Sequence, residues 1–214
     1  MTHHNQHMHT LSVLFGSSAR VKTMRLFLFN REAVFDVDDV ATRVAERPSA
    51  VKPVIAELAH IGLVRKRMLI KSVMKKVRGK PVEKRVKAIG WGLDLSFKYR
   101  APLEKLLIEI GPLEEGVLLK RLSRAGKLKF VATSGIFVQN WESRLDLIIV
   151  GDGLQLSIVE RAIRSLETEI GREIRYSAFD TKDFSYRLSM HDKLIRDILD
   201  YPHHVLVDKL GISS

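Results

Sequence analysis

The chemistry that this sequence offers most clearly is the binding of a large anion. Between Arg65 and Lys87 the chain carries 11 Lys and Arg residues and one acidic residue. A solvated surface without a ligand normally mixes both signs, so this run is typical of a segment that binds a polyanion. Residues 1–100 hold 20 basic and 8 acidic residues, whereas residues 101–214 hold 16 and 17. We therefore expect the first half of the chain to contact the anionic partner.

Residues that could act as catalysts are sparse by comparison. The chain has no cysteine, which excludes disulfides and thiolate metal sites and fits a cytoplasmic protein. His191 and Asp192 are neighbours without a nucleophile, and His203 and His204 begin a predicted strand, so all four are expected to be structural. Residues 1–10 are polar and contain four histidines, and we predict a disordered tail there.

Three predicted helices precede the basic run. The spacing of apolar residues by three and four predicts the first over Ser17–Asn30. Asp36 is a suitable N-cap for a second helix, which ends near Val44. Ser49 can cap a third helix, and Gly62 is placed to end it. Two short helices separated by a tight break and preceded by a longer helix form the helix-turn-helix arrangement.

The basic run itself predicts a β-hairpin. Residues 65–76 and 82–89 have the composition of two strands, and the Gly and Pro of Val77–Pro81 predict the turn between them. A basic hairpin that follows a recognition-type helix is the wing of a winged helix. The first half is therefore predicted to be an N-terminal winged helix-turn-helix domain with a long basic β-wing.

Such a domain places its third helix in the major groove of DNA and its wing against phosphates. We therefore predict double-stranded DNA as the partner. RNA is less favoured, because the wing carries no aromatic platform on which single-stranded bases could stack. The predicted DNA-binding residues are Arg47, Ser49, Lys52, Lys75, Lys76, Arg78, Lys80, Lys84 and Arg85.

The second half has a different pattern, in which strands alternate with helices. The predicted strands are at 127–133, 145–150, 173–178 and 203–207, and the predicted helices are at 154–170, 181–188 and 192–199. This alternation predicts a small α/β domain with a mixed sheet, and the whole chain is then α+β. The expected organisation is a tail at 1–10, a winged helix at 11–100, linker helices at 101–125 and the α/β domain at 126–210.

Several segments resemble a known family. Leu14–Lys22 with Leu26–Leu28, and Glu57–Val64, are similar to the opening and to the recognition-helix end of prokaryotic winged-helix regulators of the arsenical-resistance-repressor-like type. Arg85–Asp94 followed by Phe97 resembles a linker found in one subgroup of these regulators. There the winged helix is fused to a minimal nucleotidyltransferase-like domain. The resemblance covers residues 11–210 and implies transcriptional regulation.

The catalytic motif of that second domain is degenerate here. In the family, Gly-Ser is followed after about ten residues by Asp-x-Asp, whose carboxylates bind Mg²⁺. In this chain the Gly-Ser order is inverted, and an arginine replaces the first carboxylate. The residues of the degenerate motif are Ser134, Gly135, Ser143, Arg144 and Asp146. The resemblance therefore implies a domain that has lost its chemistry and has no cofactor or bound metal.

The second domain is then expected to sense an effector, to mediate homodimerisation or to bind a protein partner. Arg144 and Arg175 are candidates for a small anionic effector, although we favour their interpretation as ordinary surface arginines. Two other functions stay open, namely an active Mg²⁺-dependent nucleotidyltransferase and an antitoxin-like protein-interaction module. No membrane partner is expected, because no apolar run approaches the roughly 18 residues of a span.

Overall fold

The computed structural model describes residues 10–77, 80–109, 115–140 and 142–212 of the chain. Within its helices and strands, the side chains of residues 73–77, 80–82, 109 and 115 lie outside that description. The chain divides into two compact units. The first consists of Met1–Pro112 with Thr168–Arg172, and the second of Leu113–Glu167 with Glu173–Ser214. The predicted tail at 1–10 lies outside the described residues, apart from Thr10.

Three helices open the first unit after a short helical stretch at 10–14. They are α1 (Ser18–Phe29), α2 (Val37–Val44) and α3 (Pro48–His60). Their inner faces form one apolar core, because buried residues recur at the spacing of a helical turn. The core includes Val21, Leu26, Phe27, Val40, Val44, Val51, Ile55 and Leu58.

Two predicted helix ends are confirmed and a third is wrong. The Asp36 carboxylate accepts the backbone N–H of Asp39, and the Asp39 carboxylate accepts that of Asp36, which completes a capping box on α2. Gly62 follows α3 with φ of +83°, the left-handed conformation that ends many helices. Ser49 is not the cap of α3, because the helix begins at Pro48, whose fixed φ suits the first helical position.

A two-stranded antiparallel hairpin follows, formed by β1 (Val64–Val77) and β2 (Lys80–Leu93). A single bridge joins this hairpin to the segment before α2, where Phe35 and Trp91 exchange backbone hydrogen bonds of 2.9 and 2.7 Å. Gly90 permits this contact, because a Cβ there would lie 2.6 Å from Val34 Cγ1. The base of the hairpin is thereby fixed to the helical core.

The segment predicted as linker helices begins with α4 (Arg100–Glu104), which continues as a π-helical turn over Lys105–Glu109. The first of the predicted linker helices is therefore α-helical only in its first turn. A further helix, α5 (Glu115–Leu122), belongs to the second unit.

The second unit contains a four-stranded sheet. Its strands are β3 (Lys127–Thr133), β4 (Leu147–Asp152), β5 (Tyr176–Phe179) and β6 (His204–Asp208), in the order β5-β4-β3-β6. The β4–β5 pair is parallel and the other two pairs are antiparallel, which confirms the mixed sheet. The strand predicted at 173–178 begins only at Tyr176.

Four α-helices accompany the sheet in the part of the chain that the structure describes. Besides α5 they are α6 (Leu156–Ile170), α7 (Thr181–Ser189) and α8 (Lys193–Leu199). The side chains of α7 and α8 pack on one face of the sheet, where Phe184 stacks on Phe130 with ring centroids 5.6 Å apart. The strand residues between these, including Val131 and Ile149, point to the other face of the sheet and are also fully buried. Both faces of the sheet are therefore covered, and the whole chain is of mixed α+β type.

Candidate functional site

The exposed face of α3 carries the first group of predicted site residues. Arg47, Ser49 and Lys52 are exposed in the described structure. The apolar residues Val51 and Ile55 are buried on the opposite side of the helix. The structure therefore leaves the beginning of α3 accessible to a ligand, as the apolar spacing predicted.

The hairpin carries the second group. Lys75, Lys76 and Lys80 are strand residues, in register with Val82, Pro81 and Val77 respectively. Arg78 lies outside the described residues. Lys84 and Arg85 are exposed and in register with Val73 and Ser72.

The exposed cations of β2 lie on both faces of the hairpin. Successive side chains of a strand point to opposite faces, so Lys84 lies on one face and Arg85 and Lys87 lie on the other. None of these three forms an ion pair with another residue whose side chain the structure describes. We call them the hairpin cations. Lys87 was not among the predicted site residues, although its position in the basic run pointed to it.

Some basic residues of the run have structural partners instead. The Lys71 ammonium lies 2.5 Å from Asp36 Oδ2 and 3.2 Å from Asp39 Oδ1, and so joins β1 to the beginning of α2. Hydrogen bonding to Asp36 raises the pKa of Lys71. Partial burial opposes ionisation of Asp36, but Lys71 and the backbone N–H of Asp39 outweigh it and hold the pKa of Asp36 below its usual value.

One face of the hairpin also exposes apolar side chains, which were not among the predicted site residues. Met68, Ile70 and Ile89 are 66%, 69% and 62% exposed. Met68 is opposite Ile89, and Ile70 is opposite Lys87. The face that carries Arg85 and Lys87 is therefore amphipathic. The apolar run Met68–Ile70 within this basic strand contained the signal.

The residues of the degenerate motif meet in the second unit. The Ser134 hydroxyl lies 3.2 Å from the Ser143 hydroxyl. The backbone N–H of Ser134 donates to the backbone carbonyl of Asp146. Gly135 has φ of +54°, and a Cβ there would overlap Asp146 Oδ1. A glycine is therefore required beside this carboxylate, which explains the Ser-Gly pair in structural terms.

The carboxylate of Asp146 is fully buried and fully occupied. It accepts the backbone N–H groups of Ile136 and Arg175 at 3.0 and 2.9 Å. The Arg175 guanidinium donates to both of its oxygens at 3.0 Å. This two-point pair neutralises Asp146 and occupies the lone pairs that a metal ion would need. The side chain of Arg175 is 42% exposed, as expected of a surface arginine, but its guanidinium pairs with this buried carboxylate.

Arg144 lies apart from this network. Its side chain is 62% exposed, and its Nε lies 3.2 Å from Asp197 Oδ2. Both residues line a cavity of about 330 Å³ with Ser143, Lys193 and Tyr201. The structure thus places Arg144 at a surface cavity, where it is already paired with a carboxylate.

The described residues contain no group of three or more His, Asp or Glu side chains arranged to hold a metal ion. None of their helices has the length and apolar character needed to span a bilayer.

Comparison of the chain with protein-family models, with curated proteins and with solved structures gives no match.

Proposed function

We propose that this protein is a sequence-specific regulator of transcription that binds double-stranded DNA through its first unit. In this proposal the first unit is a winged helix, with α3 as the recognition helix and the β1–β2 hairpin as the wing. The second unit is a nucleotidyltransferase-like domain that does not catalyse nucleotide transfer. The observation that carries the proposal is the exposure of the α3 face and of the hairpin cations on a single compact unit.

The dimensions of DNA support these two contacts. The major groove, about 12 Å wide, admits an α-helix or a two-stranded β-ribbon. Arg47, Ser49 and Lys52 at the beginning of α3 have the donors that contact guanine edges or phosphates. Because a two-stranded ribbon is narrow, cations on both of its faces can reach the two walls of one groove. The distribution of Lys84 and Arg85 over opposite faces suits a ribbon that enters a groove.

The charge distribution supports the same partner. Each phosphate that a Lys or Arg neutralises releases counterions, and this release supplies most of the sequence-independent affinity for DNA. The hairpin cations are exposed, and their charge is not neutralised by other described side chains. Lys71 is excluded from this role, because Asp36 and Asp39 already hold its ammonium.

The geometry of the second unit favours a regulator over an enzyme. The one carboxylate that survives from the family motif, that of Asp146, accepts four hydrogen bonds from protein groups. Coordination of Mg²⁺ there would require the Arg175 guanidinium and the backbone N–H groups of Ile136 and Arg175 to give up the acceptor that they share. The same residues instead stabilise the sheet, since they link β4 to the segment before β5.

Selection of bound sequences from a random duplex library tests the proposal. The full chain is expected to enrich one motif. Lys52→Ala should change the preference at one or two base pairs, at a cost of about 1–3 kcal/mol there. The control Lys98→Ala removes an exposed lysine of the first unit outside α3 and the hairpin, and should leave the motif unchanged. The absence of any enriched motif, or an identical change in both variants, would contradict the proposal.

A further inference from the structure

A second surface, in the second unit, gathers positive charge over an apolar floor. The groove lies beside the end of α5, at the end of the sheet where β3 begins and β6 finishes, and has a volume of about 470 Å³. Small-molecule sites in proteins have volumes of about 300–1,000 Å³. The lining residues are Leu119, Ser123, Gly126, Lys127, Leu128, Lys129, Val207 and Lys209. We call this surface the lysine groove.

The topology of the sheet explains why three lysines meet there. Lys127 and Lys129 are two residues apart at the beginning of β3. Lys209 directly follows β6, which pairs with β3 in antiparallel fashion. The backbone N–H of Lys209 donates to the carbonyl of Lys129 at 2.8 Å, which holds the two segments together. Residues 80 positions apart in the chain are thus brought to the same end of the sheet.

The charge of the groove is only partly compensated. The Lys129 ammonium lies 3.7 Å from Asp152 Oδ2. Lys127 and Lys209 are exposed and form no ion pair with any side chain that the structure describes. Three ammonium groups and one carboxylate leave two positive charges in the groove. Like charges placed together repel, and a bound dianion would relieve that repulsion.

Apolar side chains determine what else the ligand must carry. Leu119, Leu128 and Val207 contribute hydrocarbon surface beside the ammonium groups. A free inorganic ion would leave that surface in water, whereas an organic anion would cover it and gain about 25 cal/mol per Å² of apolar area. The groove therefore fits a small molecule with a doubly charged acidic group and an apolar body.

We propose that the lysine groove binds a small organic dianion, such as an aryl phosphate or an aromatic dicarboxylate. This site is separate from the cavity at Arg144. The proposal does not depend on DNA binding, because every lining residue belongs to the second unit. If both proposals hold, the groove is the site where an effector would act.

Titration of the isotope-labelled full chain with 1-naphthyl phosphate, followed by amide NMR, tests the proposal. The largest shifts are expected at residues 127–129 and 207–209. 1-Naphthyl phosphate should bind at least tenfold more tightly than inorganic phosphate, which lacks the apolar body. It should also bind at least tenfold more tightly than 1-naphthol, which lacks the doubly charged group. The Lys127→Ala/Lys209→Ala variant should lose at least tenfold in affinity.

The control variant is Lys182→Ala/Lys193→Ala, which removes two exposed lysines of the same unit, one of them from the cavity at Arg144. It should bind the probe as the unmodified chain does. No binding of 1-naphthyl phosphate at millimolar concentration would overturn the proposal. Equal affinity in the Lys127→Ala/Lys209→Ala variant, or shifts centred on Arg144 and Lys193, would overturn it as well. DNA binding is not part of this measurement, so the two proposals fail independently.

Discussion

At the scale of single residues, one buried carboxylate accounts for the degenerate motif. Asp146 requires Gly135 beside it, and it pairs with Arg175 across 29 positions of the chain. The arginine two positions before Asp146 makes a poor magnesium site, and the structure shows the Asp146 carboxylate bonded to protein groups instead. The sequence did not disclose Arg175 as its partner, since no local pattern connects two residues that meet only in the folded sheet.

The Asp146→Asn substitution tests this structural role. It keeps the shape of the side chain but removes the charge that Arg175 pairs with. It also leaves two of the four donors without an acceptor, because each carboxylate oxygen accepts two hydrogen bonds. We expect the second unit to lose about 2–4 kcal/mol of stability. Hydrogen exchange of the amides of β3 and β4 measures that loss. DNA binding by the first unit is expected to persist.

The control for this substitution is Asp200→Asn. Asp200 also pairs with an arginine, Arg196, at 3.0 Å, but its side chain is 52% exposed. Exposed pairs contribute about 0–1 kcal/mol, so hydrogen exchange should barely change. If Asp146→Asn abolished a measurable transfer of nucleotide and left stability intact, Asp146 would be catalytic rather than structural.

At the scale of elements, the hairpin depends on its attachment to the helices. A two-stranded hairpin is marginally stable by itself in water. Here the bridge between Phe35 and Trp91 and the ion pairs of Lys71 with Asp36 and Asp39 fix its base. A wing that binds DNA must hold its cations in a defined position, and this attachment supplies the position.

The pH dependence of stability tests the attachment. The folded protein holds the pKa of Asp36 below its usual value, so Asp36 stabilises the fold above the unfolded pKa of about 3.9. That contribution is lost as the pH falls through the folded pKa. Asp36→Asn keeps a good N-cap but removes the charge. It should cost about 0.5–1 kcal/mol at pH 7, and the difference from the unmodified chain should shrink once the pH falls below about 3.9 and disappear below the folded pKa of Asp36.

Urea unfolding in a Trp141→Phe background measures this difference, because Trp91 is then the one tryptophan of the chain. The control Asp38→Asn removes a charge from the same turn of α2. Asp38 is exposed and has no ion pair with a described side chain, so its effect should be smaller. A difference for Asp36→Asn that stays constant from pH 7 to pH 3 would show that the pair with Lys71 does not stabilise the fold.

The elements also show what local sequence can and cannot predict. β3 was predicted with its observed bounds, and the Asp36 cap was correct, because both depend on residues within a few positions of each other. Ser49 was misplaced because Pro48 competes for the same helix start. The strand predicted from Glu173 begins later, since Arg175 and the residue before it bond to Asp146 and Glu167 instead.

At the scale of the whole molecule, the two units differ in the shape of their positive surfaces as well as in their net charge. The hairpin concentrates basic residues along an exposed ribbon, which is suited to an extended polyanion. The lysine groove gathers three lysines around an apolar floor, which is suited to one small anion. Composition predicted the first surface, because its residues are consecutive. It could not predict the second, because Lys127 and Lys209 meet only through the pairing of β3 with β6.

The measurement that tests the central claim most directly is the salt dependence of affinity for duplex DNA. We compare the unmodified chain with a variant in which Lys84, Arg85 and Lys87 are all changed to Gln. For duplex DNA the slope of log K against log salt is about −0.9 for each neutralised phosphate. The variant should therefore bind more weakly at low salt, with a slope shallower by about 2–3.

The control for that measurement changes Arg161, Arg164 and Lys182, three exposed cations of the second unit, to Gln. It alters the net charge by the same amount and should leave the slope unchanged. The account predicts tight duplex binding at about 50 mM salt and a shallower slope only in the hairpin variant. Failure of the unmodified chain to bind duplex DNA under those conditions, or equal slopes in all three proteins, would contradict it.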